Sequence, residues 1–197
     1  MFQTPFFIIL FLLVIPHQTA QHYPNSKFIS SPEIINQTCA KCAELSDVFS
    51  YDFCAASLQT IPVSHATTNR QGLALVAMEL ALANATTTVL TIKEMLNTND
   101  STSLDPFSSI CLKDCLELYS DGIATLVDAV GAFMSQKYET AGVLLSAVME
   151  APVTCEEGFE EMKGQVESPV VKENYDLFQL CDIALCIARL LSSHWWV

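Results

Sequence analysis

The chain has 197 residues, with 22 Asp and Glu against nine Lys and Arg, a formal net charge of −13 with histidine neutral. That acid excess repels nucleic acid and anionic membrane surfaces. The length suits one domain with a sizeable core.

Residues 1–20 hold an apolar run, Phe6 to Ile15, then Pro16, Thr19 and Ala20, and no charged side chain. This reads as a secretory signal peptide, too short to span a bilayer and removed on export. The mature chain of about 175 residues keeps the whole charge, and no later stretch reads as long and apolar enough to span. A soluble, extracellular protein is expected. Eight cysteines in that compartment imply disulfides, with 105 pairings open on arithmetic alone. Asn36, Asn84 and Asn99 each begin an Asn-x-Ser/Thr acceptor that export makes usable for glycosylation. Asn84 falls in the middle of a helical pattern and is the poorest of the three.

Residues 21–31 are polar, with Pro24 and several serines, and read as a loose arm. Helical patterns follow from about Pro32 to Val48 and from Tyr51 to Leu58. Cys39 and Cys54, fifteen apart, suit a bridge across this small hairpin, worth about 3 kcal/mol on the chain-entropy model. So small a hairpin has little core of its own, and must lean on the main domain or on another molecule. Exchange of the hairpin between two copies, giving a homodimer, stays open.

Ile61 to His65 breaks the pattern, and Thr67, Thr68 and Asn69 offer caps for the next helix. Leu73, Val76, Leu80, Ala83, Thr87 and Leu90 give its expected apolar seam. Asp105-Pro106 is a start signal, a capping carboxylate before a proline at the first helical position. Leu112, Leu116, Tyr119, Ile123, Leu126, Val130 and Phe133 then recur at spacings of four and three, the seam of a bundle helix. The pattern turns at Ser135-Gln136-Lys137-Tyr138 and resumes at Ala141, Leu145 and Val148. An antiparallel return places Cys115 and Cys155 at a common end, where closing the 40-residue loop would contribute roughly 4 kcal/mol. Gly158 to Ser168 reads as a connection. Ser168-Pro169 repeats the cap-then-proline signal, and Val170, Leu177, Cys181, Ala184, Ala188 and Leu191 form the last face. No strand-like alternation occurs. The fold expected is all-α: an up-down-up-down four-helix bundle preceded by a disulfide-stapled helical hairpin. Cys181 and Cys186, about 140° apart around one helix, are expected as buried thiols; Cys42 and Cys111 are left unassigned, and Trp195 and Trp196 unexplained.

Few residues are spaced for chemistry. Cys39-Ala40-Lys41-Cys42 matches the redox Cys-x-x-Cys spacing but lacks the strand-to-helix setting that activates a thiol. Zinc would need a second close pair, for which Cys111 and Cys115 are the candidates. His22, His65 and His194 are scattered, no Gly-x-Ser-x-Gly turn exists, and Glu156, Glu157, Glu160 and Glu161 crowd one helix face instead of facing across a cleft. No enzyme, metal site or cofactor is expected.

A more specific set of residues is Thr38-Cys39 with Tyr51-Asp52-Phe53-Cys54, then Leu112-Lys113-Asp114-Cys115, Tyr119, and Val153-Thr154-Cys155-Glu156-Glu157-Gly158-Phe159. It resembles the plant invertase and pectin methylesterase inhibitor family, and within it looks most like the pollen-type invertase inhibitors, which Ser168-Pro169-Val170 and Lys172-Glu173-Asn174 also match. The resemblance covers about residues 33–192. It implies residues 32–60 as a hairpin and 68–192 as a bundle within one inhibitor domain, 32–193, with a short tail at 194–197. It supplies the pairings Cys39 to Cys54 and Cys115 to Cys155.

The resemblance also implies a role for the turn between the second and third bundle helices, where invertase inhibitors carry Pro-Lys-Phe and enter the target's substrate cleft. Here Gln136, Lys137 and Tyr138 occupy that place. The function so implied is non-covalent, cofactor-free inhibition of a plant cell-wall or vacuolar acid invertase in the apoplast or vacuole. The alternative on the same scaffold is inhibition of pectin methylesterase. An alternative of another class is a ligand carrier or pollen-type storage protein.

Overall fold

The computed structural model describes residues 31–60, 69–97, 105–161 and 167–192; the expected signal peptide, His22, His65, His194, Asn99, Trp195 and Trp196 lie outside the described residues. Among the described residues six helices form: α1 (Ser31–Leu45), α2 (Tyr51–Gln59), α3 (Arg70–Asn97), α4 (Pro106–Met134), α5 (Tyr138–Glu160) and α6 (Val171–Leu191). Among the described residues there is no strand.

Local signals account for the starts of α2, α3 and α4. Ser50 Oγ accepts the Phe53 amide at 3.1 Å before α2, and Asn69 Oδ1 accepts the Gly72 amide at 2.9 Å before α3. Asp105 caps α4 by accepting the amides of Phe107 and Ser108 at 3.0 and 3.1 Å and the Ser108 hydroxyl at 2.7 Å, with Pro106 in the first turn. The last start differs from expectation. Val170 holds the cap position of α6 without a side-chain bond, and Ser168 Oγ instead accepts the Val170 amide at 3.3 Å, leaving Pro169 outside the helix. Gly158 belongs to α5, not to the connection that follows it.

Helices α3, α4, α5 and α6 close a ring in which each packs on the two beside it. On α4 the seam is Leu112, Cys115, Tyr119, Leu126 and Phe133; α5 contributes Ala141, Leu145 and Val148, and α6 contributes Leu177, Cys181, Ala184 and Ala188, all buried. The expected seam of α3 is corrected. Leu73 and Val76 are buried as expected, but Ala83, Thr87 and Leu90 are exposed, and the buried face continues through Ala77, Ala81, Ala85, Thr88 and Ile92. Apolar and small residues surround this helix, so several faces fit the same spacing and tertiary contacts choose among them. A second correction follows: α3 is, by length and composition, apolar enough to cross a bilayer, although half of that stretch is packed inside the bundle.

α6 is enclosed most completely. Every residue from Leu180 to Ala188 is buried, which the ring alone cannot achieve, since a bundle helix keeps an outer face. The hairpin covers that face: α1 packs on α6 as well as on α2.

Three cystines hold this arrangement. Cys39–Cys54 closes the hairpin and Cys115–Cys155 joins α4 to α5. The third, Cys42–Cys186, spans 144 residues and ties α1 to α6 with the two Cα atoms 5.9 Å apart. Cys186 is therefore not the buried thiol expected. That expectation weighed it only against its bundle neighbours, whereas the hairpin brings Cys42 to its outer side. Cys181 and Cys111 are the free, buried thiols. On the chain-entropy model so long a loop contributes about 4–5 kcal/mol.

Beside the Cys115–Cys155 bond, three helices meet through polar groups. Tyr119 Oη donates to Asn174 Oδ1 at 2.7 Å, and Asn174 Nδ2 donates to Glu156 Oε2 at 2.7 Å and lies 3.6 Å from Cys155 Sγ. Tyr119 and Asn174 are buried, and burial, with Glu173 nearby, holds the Tyr119 phenol well above its ordinary pKa, so it stays a donor. Replacing Tyr119 by Phe leaves Asn174 Oδ1 without this donor, and is expected to lower unfolding free energy by about 1–3 kcal/mol. Urea denaturation measures this; an unchanged midpoint would contradict it.

The Asp105 cap predicts a pH dependence. Its carboxyl is held below the usual carboxylate value first by the Phe107 amide and then by Ser108. A depressed folded pKa means that the stabilisation is present above the unfolded value and lost as pH falls through the folded one. Amide exchange at Phe107 and Ser108 should therefore accelerate at strongly acid pH, and Asp105→Asn should remove that acceleration.

Candidate functional site

α4 and α5 are joined by three residues, 135–137. The Gln136 amide donates to Phe133 O at 2.9 Å and the Lys137 amide to Ala132 O at 3.0 Å. These two bonds form a Schellman closure, which needs a left-handed residue after the helix, and Gln136 supplies it at φ 59°. Ser135 adds a bond from its amide to Gly131 O at 3.1 Å. Each turn amide donates into the last turn of α4, so the short link has a defined path.

Behind the turn, the Tyr138 ring lies 5.1 Å from the Phe133 ring at an interplanar angle of 59°. That tilted contact half-buries Tyr138 and suits aromatic packing. Next to it, Glu139 Oε1 accepts the Ser192 hydroxyl at 3.4 Å, tying the start of α5 to the end of α6. Gln136 and Lys137 stand exposed at the apex. The three residues singled out from the sequence thus form one contiguous feature, in which Tyr138 braces and Lys137 projects a charge.

The other candidates do not converge. Cys39 and Cys42 belong to different cystines, so the Cys-x-x-Cys spacing is no redox pair. Cys111 Sγ lies 3.4 Å from Gly158 O, and burial raises its pKa; burial takes Cys181 up to about 12. Neither is a ready nucleophile. Glu156 is engaged by Asn174, while Glu157, Glu160 and Glu161 face solvent. No group of metal-binding side chains occurs among the described residues. Asn36 is exposed on α1; Asn84 is half-buried in α3 with its Oδ1 enclosed.

Sequence reasoning missed a cavity of about 600 Å3 between the hairpin and α6, lined among others by Lys41, Ser46, Asp182, Cys186 and Arg189. Ser46 Oγ donates to Asp182 Oδ2 at 2.5 Å and accepts the Val48 amide at 3.0 Å, so a hydrogen bond joins the hairpin's loop to α6 here. The available signal was the near-continuous apolar run from Leu180 to Ala188 in α6, which implies a cover on its outer face.

The left-handed residue at the apex yields a stability prediction. Gln136→Gly removes a side chain from a positive-φ position, and should stabilise the fold by about 1 kcal/mol. A lower thermal midpoint would contradict it.

Known proteins bear on this geometry. Residues 33–187 match the model of the plant invertase/pectin methylesterase inhibitor family. Proteins named "Putative invertase inhibitor" from Platanus orientalis and Platanus acerifolia are 38% and 39% identical, each over 84% of this chain and covering 94% and 89% of those proteins. A pectinesterase inhibitor from Actinidia deliciosa is 28% identical over 94% of the chain and 92% of its own length. The crystal structure of a mutant pectin methylesterase inhibitor from Arabidopsis superposes with a TM-score of 0.66 at 24% identity, covering 80% of this chain and 98% of that one, and shares the fold. Each of these relatives carries the name of an inhibitor. A cystine-stapled helical hairpin set on a four-helix bundle, with these relatives across most of its length, places the chain in the plant invertase/pectin methylesterase inhibitor family.

Proposed function

We propose that the protein is a secreted inhibitor of a plant acid invertase, and that the 136–138 turn enters the enzyme's substrate cleft in a one-to-one, non-covalent complex. The observation that carries this reading is Lys137, an exposed cation at the apex of a hydrogen-bonded turn in a chain of net charge −13. A glycosidase keeps carboxylates around its scissile bond, and a lysine delivered there meets opposite charge in a partly desolvated space. The Schellman closure and the Tyr138–Phe133 contact limit the order that must be gained on binding. Inhibition is then steric and electrostatic, with no cofactor. Export by the N-terminal apolar segment delivers the inhibitor to the apoplast, or onward to the vacuole, and exposed Asn36 is a better glycan acceptor than enclosed Asn84.

The second reading is inhibition of pectin methylesterase through the bundle's outer faces. It is favoured by Val127 and Met134 on α4 and Val143 on α5, large apolar side chains that are 53%, 70% and 71% exposed. A carrier role draws less support, because the bundle interior is filled by side chains.

Titration of the secreted protein against both enzymes at acid pH separates the readings. The invertase reading predicts stoichiometric loss of invertase activity, and inhibition of the esterase alone would remove it. Lys137→Glu should raise the inhibition constant for invertase by about tenfold or more, equivalent to about 1.4 kcal/mol. An unchanged constant would show that the turn is not the inhibitory element.

A further inference from the structure

Of the three cystines, Cys42–Cys186 is the one that joins the hairpin to the bundle; the other two close loops within each part. Its two residues differ in access. Cys42 is fully buried, whereas Cys186 keeps a small exposed area and lines the 600 Å3 cavity between the hairpin and α6. Cys39, Cys54, Cys115 and Cys155 are nearly or fully enclosed and do not line that space.

The cavity is also electrostatically unlike the rest of the chain. Lys41 and Arg189 line it together with Asp47 and Asp182, so its charges balance in a protein of net charge −13. Asp182 is buried and engaged by the Ser46 hydroxyl, and Lys41, on an exposed part of α1, pairs with Glu44 at 3.2 Å. An anion therefore meets less repulsion at this mouth than over the acidic surface. The exposed Leu45 and the partly buried Val48 and Leu190 complete a wall that accepts a short aliphatic stem.

We propose that this cavity admits a low-molecular-weight anionic thiol, which opens the Cys42–Cys186 cystine by attack on Cys186 and so removes the covalent tie between the hairpin and α6. The incoming thiolate forms a bond to Cys186 Sγ as the Cys42–Cys186 bond breaks, and Cys42 leaves as a thiolate that takes a proton from water. A second thiolate attacks the outer sulfur of the mixed disulfide, giving a small-molecule disulfide and the Cys186 thiol. Two thiols are oxidised and one cystine is reduced. Once it is open, the Ser46–Asp182 hydrogen bond and the apolar contacts of α1 and α2 are what retain the hairpin.

The test uses the secreted full chain with its cystines intact, titrated with reduced glutathione, acid-quenched and peptide-mapped. The proposal predicts that Cys42–Cys186 opens first, that the glutathione adduct sits on Cys186 and not on Cys42, and that amide exchange in α1 and α2 rises in step. Lys41→Glu should slow opening by glutathione about threefold relative to opening by cysteamine, a cationic thiol of similar reactivity. Opening of either other cystine at the same or lower thiol concentration would overturn the proposal. So would an adduct on Cys42, or equal slowing of both thiols by Lys41→Glu.

Discussion

The Cys115–Cys155 cystine fixes the register of α4 against α5, and everything at the far end of that helical pair follows from it. A bond at one end cannot by itself order a turn about five helical turns away. It does so here because the seam between is close-packed, with Leu126 and Phe133 from α4 and Ala141, Leu145 and Val148 from α5 all enclosed. Close-packed interiors transmit displacement instead of absorbing it. The Tyr119–Asn174–Glu156 bonds bring α6 into the same register at the cystine end, and the Ser192–Glu139 bond does so at the turn end. The exposed apex is thus carried on a frame held at both ends.

The N-terminal hairpin solves a different problem. From Leu180 to Ala188 α6 is apolar on nearly every side, with Asp182 the exception, and the ring of four helices leaves its outer side uncovered. The hairpin, too small to enclose a core alone, buries its apolar side on that surface. Hairpin and bundle are therefore mutually dependent, and Cys42–Cys186 makes the dependence covalent. Exchange of the hairpin between two copies would require this bond to form between chains.

The parts of the structure legible in the sequence are those where short-range physics is unambiguous. On α4, apolar positions three and four apart are separated by Lys113, Asp114, Glu117, Asp121 and Asp128, so one face fits: Leu112, Tyr119, Leu126 and Phe133 on it are buried, and Leu116, Ile123 and Val130 at its margin are half-buried. Asp105-Pro106 reads correctly because cap and proline act within one turn. α3 misleads because its alanines and threonines suit either side of a helix, so the choice of face is made by neighbours. The Cys42–Cys186 bond was illegible for a related reason: it joins residues 144 apart through docking of a hairpin whose seat no local pattern specifies. At the turn, the position of Gln136, Lys137 and Tyr138 was legible from the break in periodicity. Their division of labour was not, since it depends on the positive φ of Gln136 and on the ring of Phe133.

In the proposed complex a charge on a pre-ordered turn, not a bundle face, closes the target's cleft. Hydrogen exchange on the stoichiometric complex with acid invertase tests it most directly. Protection gained across residues 134–139, with the exposed faces of α3 and α6 unchanged, is the predicted result. Protection confined to those helix faces, with the turn exchanging as in the free protein, would contradict it.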